Sequence, residues 1–105
     1  MYIIVRQFRA APGREQEFER AYGHDGAWAA LFRRADGYRG TELLRDAEGQ
    51  GRYMTVDRWY SAAGWRAFRE RWASEYESLD RACEELVAAE QRVGAYHDLR
   101  EGARG

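Results

Sequence analysis

The sequence predicts an α+β domain in which strands and helical stretches follow in the order β-α-β-β-α-β. Two observations carry this. Short runs of β-branched and aromatic residues alternate with stretches whose apolar residues recur at three- and four-residue steps, and glycine turns such as Pro12-Gly13 and Asp36-Gly37 separate them. The chain has 105 residues, 45% of them hydrophobic, with four Trp, seven Tyr and four Phe, enough for one core and one domain. That domain is expected over residues 1–100, with a tail over 101–105.

Tyr2 to Arg9 reads as the first strand, and Pro12-Gly13 closes it and opens a helix. From Arg14 the apolar positions Phe18, Ala21 and Tyr22 have helical spacing, break at Gly23-His24-Asp25-Gly26, and resume at Trp28, Leu31 and Phe32, so the first helix is expected to be kinked or broken. Tyr38 to Asp46 and Arg52 to Tyr60 form a hairpin around Glu48-Gly49-Gln50-Gly51, with a bulge or close backbone approach at Gly40. Alternation in the third strand places Met54 and Val56 against the helices and Tyr53, Thr55, Asp57 and Trp59 on the other face. Ser61 can cap a long amphipathic helix through Trp65, Phe68, Trp72, Tyr76, Leu79, Cys83 and Leu86; Asp80 could start a second helix after a break near Ser78-Leu79-Asp80, although the apolar period does not slip there. A last strand is expected from about Arg92 to Leu99.

This order is ferredoxin-like: an antiparallel sheet with both helices on one face. Its other face, expected to carry Ile3, Val5, Tyr53 and Trp59, needs a partner or a ligand, and homodimerisation through facing sheets is the simplest solution.

Charge and composition remove several functions. Seventeen basic and 18 acidic residues give a net charge of -1, without the footprint of a nucleic-acid binder or a polybasic membrane patch. Every basic residue is Arg, and without Lys there is no Schiff-base chemistry. Cys83 stands alone, which fits a reducing compartment and leaves no thiolate metal cluster. Met1 to Arg6 is too short an apolar stretch for a signal peptide and no run is long enough for a membrane span, so a cytoplasmic location is expected.

The chain resembles the antibiotic biosynthesis monooxygenase domains of the dimeric α+β barrel superfamily. The resemblance rests on Phe8-Arg9-Ala10-Ala11-Pro12-Gly13, on Gly37-Tyr38-Arg39-Gly40-Thr41-Glu42-Leu43-Leu44, on Arg52-Tyr53-Met54-Thr55-Val56-Asp57-Arg58-Trp59, and on Trp65 with Phe68. It implies a homodimer that holds a small aromatic molecule between the sheet and the helices of one subunit. The activities it implies are cofactor-free oxygenation of polycyclic phenols or haem degradation, and the superfamily also includes isomerases and ligand sensors. In the haem-degrading branch an Asn on the first strand, a Trp on the second helix and a later His are used; Gln7 or Arg6, Trp65, and Glu75 or Tyr76 stand in those regions here.

The residues suggest how such a site would work. Trp65, Trp72 and Tyr76 offer rings on which a flat substrate can stack, although a helical apolar stripe equally describes core. Arg6, Gln7, Tyr53 and Thr55 are donors for a phenolate or developing peroxide anion, and Asp57 is a carboxylate for proton removal. An Arg–Asp pair that only satisfies itself is the plain alternative. Phe8 and Ala10 point to Gln7 rather than Arg6 as the residue facing the cavity, so Trp65, Asp57 and Gln7 are the catalytic candidates. Arg6, Tyr53, Thr55, Trp59, Trp72, Tyr76 and the loop histidine His24 are the substrate-binding ones. His24 and His97 lack the partners of a metal site, and no cofactor is expected. The leading expectation is a cofactor-independent monooxygenase acting on a phenolic or quinone-type metabolite. The alternatives are a non-catalytic ligand-binding or structural homodimer and, third, a haem-degrading monooxygenase.

Overall fold

The computed structural model describes residues 1–99, so the tail expected over 101–105 lies outside the described residues. Strand β1 (Tyr2–Ala10) is followed by helices α1 (Glu15–Tyr22) and α2 (Ala27–Phe32). The hairpin β2 (Tyr38–Arg45) and β3 (Arg52–Trp59) comes next, then α3 (Ala62–Arg71), α4 (Ala73–Ala82), a 3₁₀ turn at Glu84–Leu86 and β4 (Val87–His97). The sheet order is β2-β3-β1-β4 with every neighbouring pair antiparallel. This is the expected α+β, ferredoxin-like fold, with each of its two helices split in two.

The first split occurs where expected. A side chain at Gly26 would stand 2.3 Å from the Arg20 carbonyl oxygen, so only glycine lets the chain turn between α1 and α2 this tightly. Gly40 has φ +133° and sits at a register shift between β2 and β3, which is the predicted bulge. Ser61 caps α3, its Oγ accepting from the Gly64 amide at 3.0 Å.

Three expectations are corrected. The third strand turns the other way: Tyr53, Thr55, Asp57 and Trp59 are buried, whereas Met54, Val56 and Arg58 are only partly covered. Two large rings bury more apolar area than Met54 and Val56 do, and the period of two carries Thr55 and Asp57 inward with them. The open face therefore carries Ile3 and Val5 as expected, but with Met54 and Val56 in place of Tyr53 and Trp59.

The second helix breaks at Trp72, not near Ser78-Leu79-Asp80. Trp72 has φ -111° and ψ 28°, ending α3 and opening α4, and its ring packs on the core with the guanidinium carbons of Arg34 and Arg71 5.0 and 5.2 Å from its centroid. Asp80 simply continues α4. Finally, β4 starts at Val87 rather than about Arg92, because pairing with Gln7, Phe8, Arg9 and Ala10 recruits residues that show little strand preference of their own.

The core lies between the sheet and the helices. Phe8, Phe18 and Tyr22 form one aromatic group, with Phe18 and Tyr22 stacked at 4.3 Å. Phe32, Trp59, Trp65 and Phe68 form another, largely edge-to-face. A small cavity remains between the two groups.

Candidate active site

Period-two alternation on β1 and β3 sends Arg6, Thr55 and Asp57 to the helix-covered face, where two partly polar strands meet the broken helices. The cavity there is walled by Phe8, Tyr22, Trp28 and Phe32 on its apolar side and by Arg6, Thr41, Thr55, Asp57, Asp80 and Glu90 on its polar side, with Tyr76 of α4 across it. It offers about 30 Å³ to the centre of a water-sized molecule. That is room for roughly two waters.

The polar groups form a chain that crosses all four strands. The Thr41 hydroxyl of β2 donates to Asp57 Oδ1 of β3 at 2.6 Å, and the Tyr38 hydroxyl lies 2.6 Å from Thr41 Oγ1. Because Thr41 gives its proton to the carboxylate, Tyr38 is the donor in that second bond. On the other side, Arg6 Nη1 of β1 stands 3.5 Å from Asp57 Oδ2, and Arg6 Nε stands 3.7 Å from Glu90 Oε2 of β4.

Asp57 is 5% exposed, and burial pushes its carboxyl above the usual range, against the opposing pull of the Thr41 hydrogen bond and the Arg6 charge. Burial raises Glu90 too, with Arg6 opposing and Asp80 adding to the rise. Tyr76 is raised chiefly by burial; the Arg69 guanidinium, 4.0 Å from its ring centroid, holds it on the cavity wall. The Trp28 indole N–H lies beside the Tyr22 hydroxyl and the Cys83 thiol, yet meets hydrogen-bond geometry with no described residue. It is a buried donor on the cavity wall with capacity to spare.

Of the residues singled out from sequence, Arg6, Thr55, Asp57 and Tyr76 are brought together. Trp65 stands behind this group, 9% exposed, with Arg6 5.8 Å and Tyr76 6.4 Å from its ring centroid. Gln7 does not join them: it is exposed and on the opposite sheet face, so Arg6 is the residue that faces the cavity. Arg6 shares its parity with Phe8 and Ala10, and a strand has no way to turn both Gln7 and Phe8 inward.

Tyr53 is a core residue whose hydroxyl donates to Glu19 Oε2 at 2.6 Å, and Trp59, 0% exposed, is packed among Tyr38, Phe32, Trp65 and Phe68. Trp72 is at the helix break. His24 is 79% exposed and pairs with Asp25 at 3.1 Å on the surface. Neither His24 nor His97 lines the cavity, and its volume of about 30 Å³ does not accommodate a haem.

Sequence reasoning missed Thr41, Tyr22, Trp28, Asp80 and Glu90. Thr41 follows the bulge glycine, and Tyr22 and Trp28 flank the helix break; irregularities in backbone pattern were the available signal. Nothing local marks Asp80 or Glu90, which reach the cavity only through the packing of α4 and the extended start of β4.

The model of the antibiotic biosynthesis monooxygenase family matches residues 1–77. Among solved structures, the chain is similar to SnoaB, a cofactor-independent oxygenase from Streptomyces nogalater, with TM-score 0.74 and 21% identity over 92% of this chain and 91% of that one. It is also similar to a candidate antibiotic biosynthesis monooxygenase from Bordetella bronchiseptica, with TM-score 0.73 and 26% identity over 92% of this chain and 95% of that one. An uncharacterised NIPSNAP domain protein from Burkholderia xenovorans shares the fold at TM-score 0.69 and 16% identity, over 93% of this chain and 94% of that one. No curated protein matches the chain by sequence. With 77 residues under the family model and a common fold across these structures, the chain belongs to the antibiotic biosynthesis monooxygenase family.

Proposed function

We propose that this protein is a cofactor-independent oxygenase of small phenolic or quinone-type aromatic metabolites. The observation that carries the reading is a buried carboxylate, Asp57, beside a guanidinium in an aromatic-walled cavity. Burial favours a base that holds its proton more firmly than an exposed aspartate, which suits removal of a weakly acidic proton. In an anthrone-type substrate, Asp57 takes a proton from the ring CH₂ next to the phenol system, and Arg6, Thr55 and the Trp28 N–H face the oxygen on which negative charge gathers. The carbanion so formed supplies the electrons to dioxygen. Overall, CH₂ and O₂ become C=O and H₂O, while Phe8, Tyr22, Phe32 and Tyr76 keep bulk water from the reacting atoms.

We also propose that the protein works as a homodimer in the cytoplasm. The open sheet face supports the dimer: Ile3, Val5, Met54 and Val56 lie there half-covered beside Leu44 and Tyr96, which are 48% and 49% exposed. Among the described residues no helix is long and apolar enough to cross a membrane.

The test is oxygen uptake by purified protein supplied with anthrone-type polycyclic phenols, with Asp57→Asn and Trp65→Phe as controls. Uptake in the wild type that falls at least tenfold in Asp57→Asn supports the reading, and no uptake across the panel sinks it. A second reading draws on the smallness of the cavity: a non-catalytic structural homodimer, which predicts neither oxygen consumption nor saturable quenching of tryptophan fluorescence by the same phenols.

A further inference from the structure

We propose that Thr41 is the positioning residue of Asp57, fixing which carboxylate oxygen receives the substrate proton. The idea rests on the reading of Asp57 as the proton acceptor. Two carboxylate oxygens would otherwise be equivalent, but the polar chain makes them different. Oδ1 accepts the Thr41 hydroxyl proton at 2.6 Å, and Thr41 Oγ1 lies 2.6 Å from the Tyr38 hydroxyl. A hydroxyl that accepts from one neighbour and donates to another is held in a single orientation. Oδ2 has only the longer 3.5 Å approach of Arg6 Nη1, outside hydrogen-bond reach, and so keeps its lone pairs for an incoming proton.

The backbone builds this arrangement. Thr41 and Asp57 are directly paired across β2 and β3, immediately past the bulge at Gly40. Gly40 therefore sets the register that puts a hydroxyl, and not the flanking Glu42, opposite the carboxylate.

The charged and titratable groups that face Asp57 come from every surrounding element: Tyr22 of α1, Tyr38 of β2, Arg6 of β1, Glu90 of β4, and Tyr76 and Asp80 of α4. Of these only Arg6 favours the ionised carboxylate by its own charge, and Tyr38 does so through Thr41. Thr41 is thus the one hydrogen-bond donor on Asp57 among the described residues, and its loss is not compensated from elsewhere in the wall.

The experiment follows the side-chain carboxyl carbon of Asp57 by NMR across pH in the wild type, Thr41→Ser, Thr41→Val and Tyr38→Phe, with Asp57→Asn assigning the signal and near-UV circular dichroism establishing the fold. Thr41→Val, which keeps shape and branching and removes the donor, is expected to move the midpoint upward by about one pH unit, tenfold in the proton equilibrium. Thr41→Ser is expected to restore the wild-type value, and Tyr38→Phe to shift it upward by less. A folded Thr41→Val with an unchanged midpoint overturns the proposal. So does a shift that Thr41→Ser fails to reverse, since that would be a packing effect. The readout needs no substrate, so absence of oxygen uptake would defeat the proposed function while this result still decides the role of Thr41. Where uptake is present, Thr41→Val should lower kcat about tenfold with little change in KM, because valine keeps the shape of the cavity wall while the proton acceptor loses its hydrogen bond.

Discussion

At the scale of single residues, Asp57 shows how burial and pairing compete. Desolvation penalises its charge, Thr41 and Arg6 favour it, and burial prevails, leaving the folded carboxyl above its ordinary value. A carboxyl raised by folding binds its proton more tightly in the native state. Its contribution to stability is therefore complete below the ordinary carboxylate range and is lost as pH rises through the raised folded value. Asp57→Asn keeps an oxygen for Thr41 and cannot ionise. The urea midpoint of the wild type is expected to fall relative to Asp57→Asn as pH rises from the ordinary carboxylate range through the raised folded value; parallel curves would show that burial of Asp57 carries no such cost. Glu90 is raised in the same direction but is present in both proteins, so the difference isolates Asp57. Trp59 poses the opposite case. Its buried Nε1 has no hydrogen-bond partner among the described residues, and the stability of its place comes from ring packing alone.

At the scale of elements, α4 differs from α1, α2 and α3, each of which has buried residues. It begins at the Trp72 break, runs into a 3₁₀ turn, and contains no fully buried residue; Tyr76 and Leu79 are its partly buried attachments. It nevertheless supplies Tyr76 and Asp80 to the cavity wall. A cavity of about 30 Å³ holds waters but not a ring system, so a substrate of the proposed kind would have to displace part of this wall, and α4 is the α-helix of the wall with no fully buried residue. Amide hydrogen exchange should be faster in residues 73–82 than in β1 or β3, and an aromatic ligand should slow it there first. Equal protection of α4 and β1 would contradict this. The arginine–aromatic contacts of Arg34 and Arg71 with Trp72 pin the break itself, so motion is expected beyond it and not in α3.

At the scale of the whole molecule, the two layers give principal extents of 45 × 33 × 21 Å, a slab with helices on one side only. Its radius of gyration of 14.0 Å exceeds the roughly 13 Å of a closed domain of this length. The excess goes with the elongated, 45 Å long slab. If a second copy covers the open sheet face, a charge at the centre of that face should prevent it: Val56→Arg is expected to halve the mass measured by light scattering, from twice 12.2 kDa to the single-chain value, with the circular dichroism spectrum retained. A wild type that is already monomeric at micromolar concentration would remove the dimer from the proposal.

Much of this was legible in the sequence. The order of elements, the break at Gly23 to Gly26, the bulge at Gly40 and the cap at Ser61 follow from local chemistry, because turn glycines, a capping hydroxyl and apolar period act over a few residues. What local chemistry left open was the facing of β3, the start of β4 and the break at Trp72. Both faces of β3 carry apolar residues, and only the packing of Tyr53 and Trp59 beneath the helices selects one; β4 is lengthened by a partner strand, and Trp72 is turned by arginines distant or adjacent in sequence. The candidate site divides in the same way. Arg6, Thr55, Asp57 and Tyr76 were recognisable by residue type, but Gln7 falls on the wrong face, and Thr41, Asp80 and Glu90 become neighbours of Asp57 only when four strands and α4 are assembled. Periodicity states which residues share a face, whereas the choice of face, and the company a buried charge keeps, is made by the tertiary balance of buried area and satisfied polar groups.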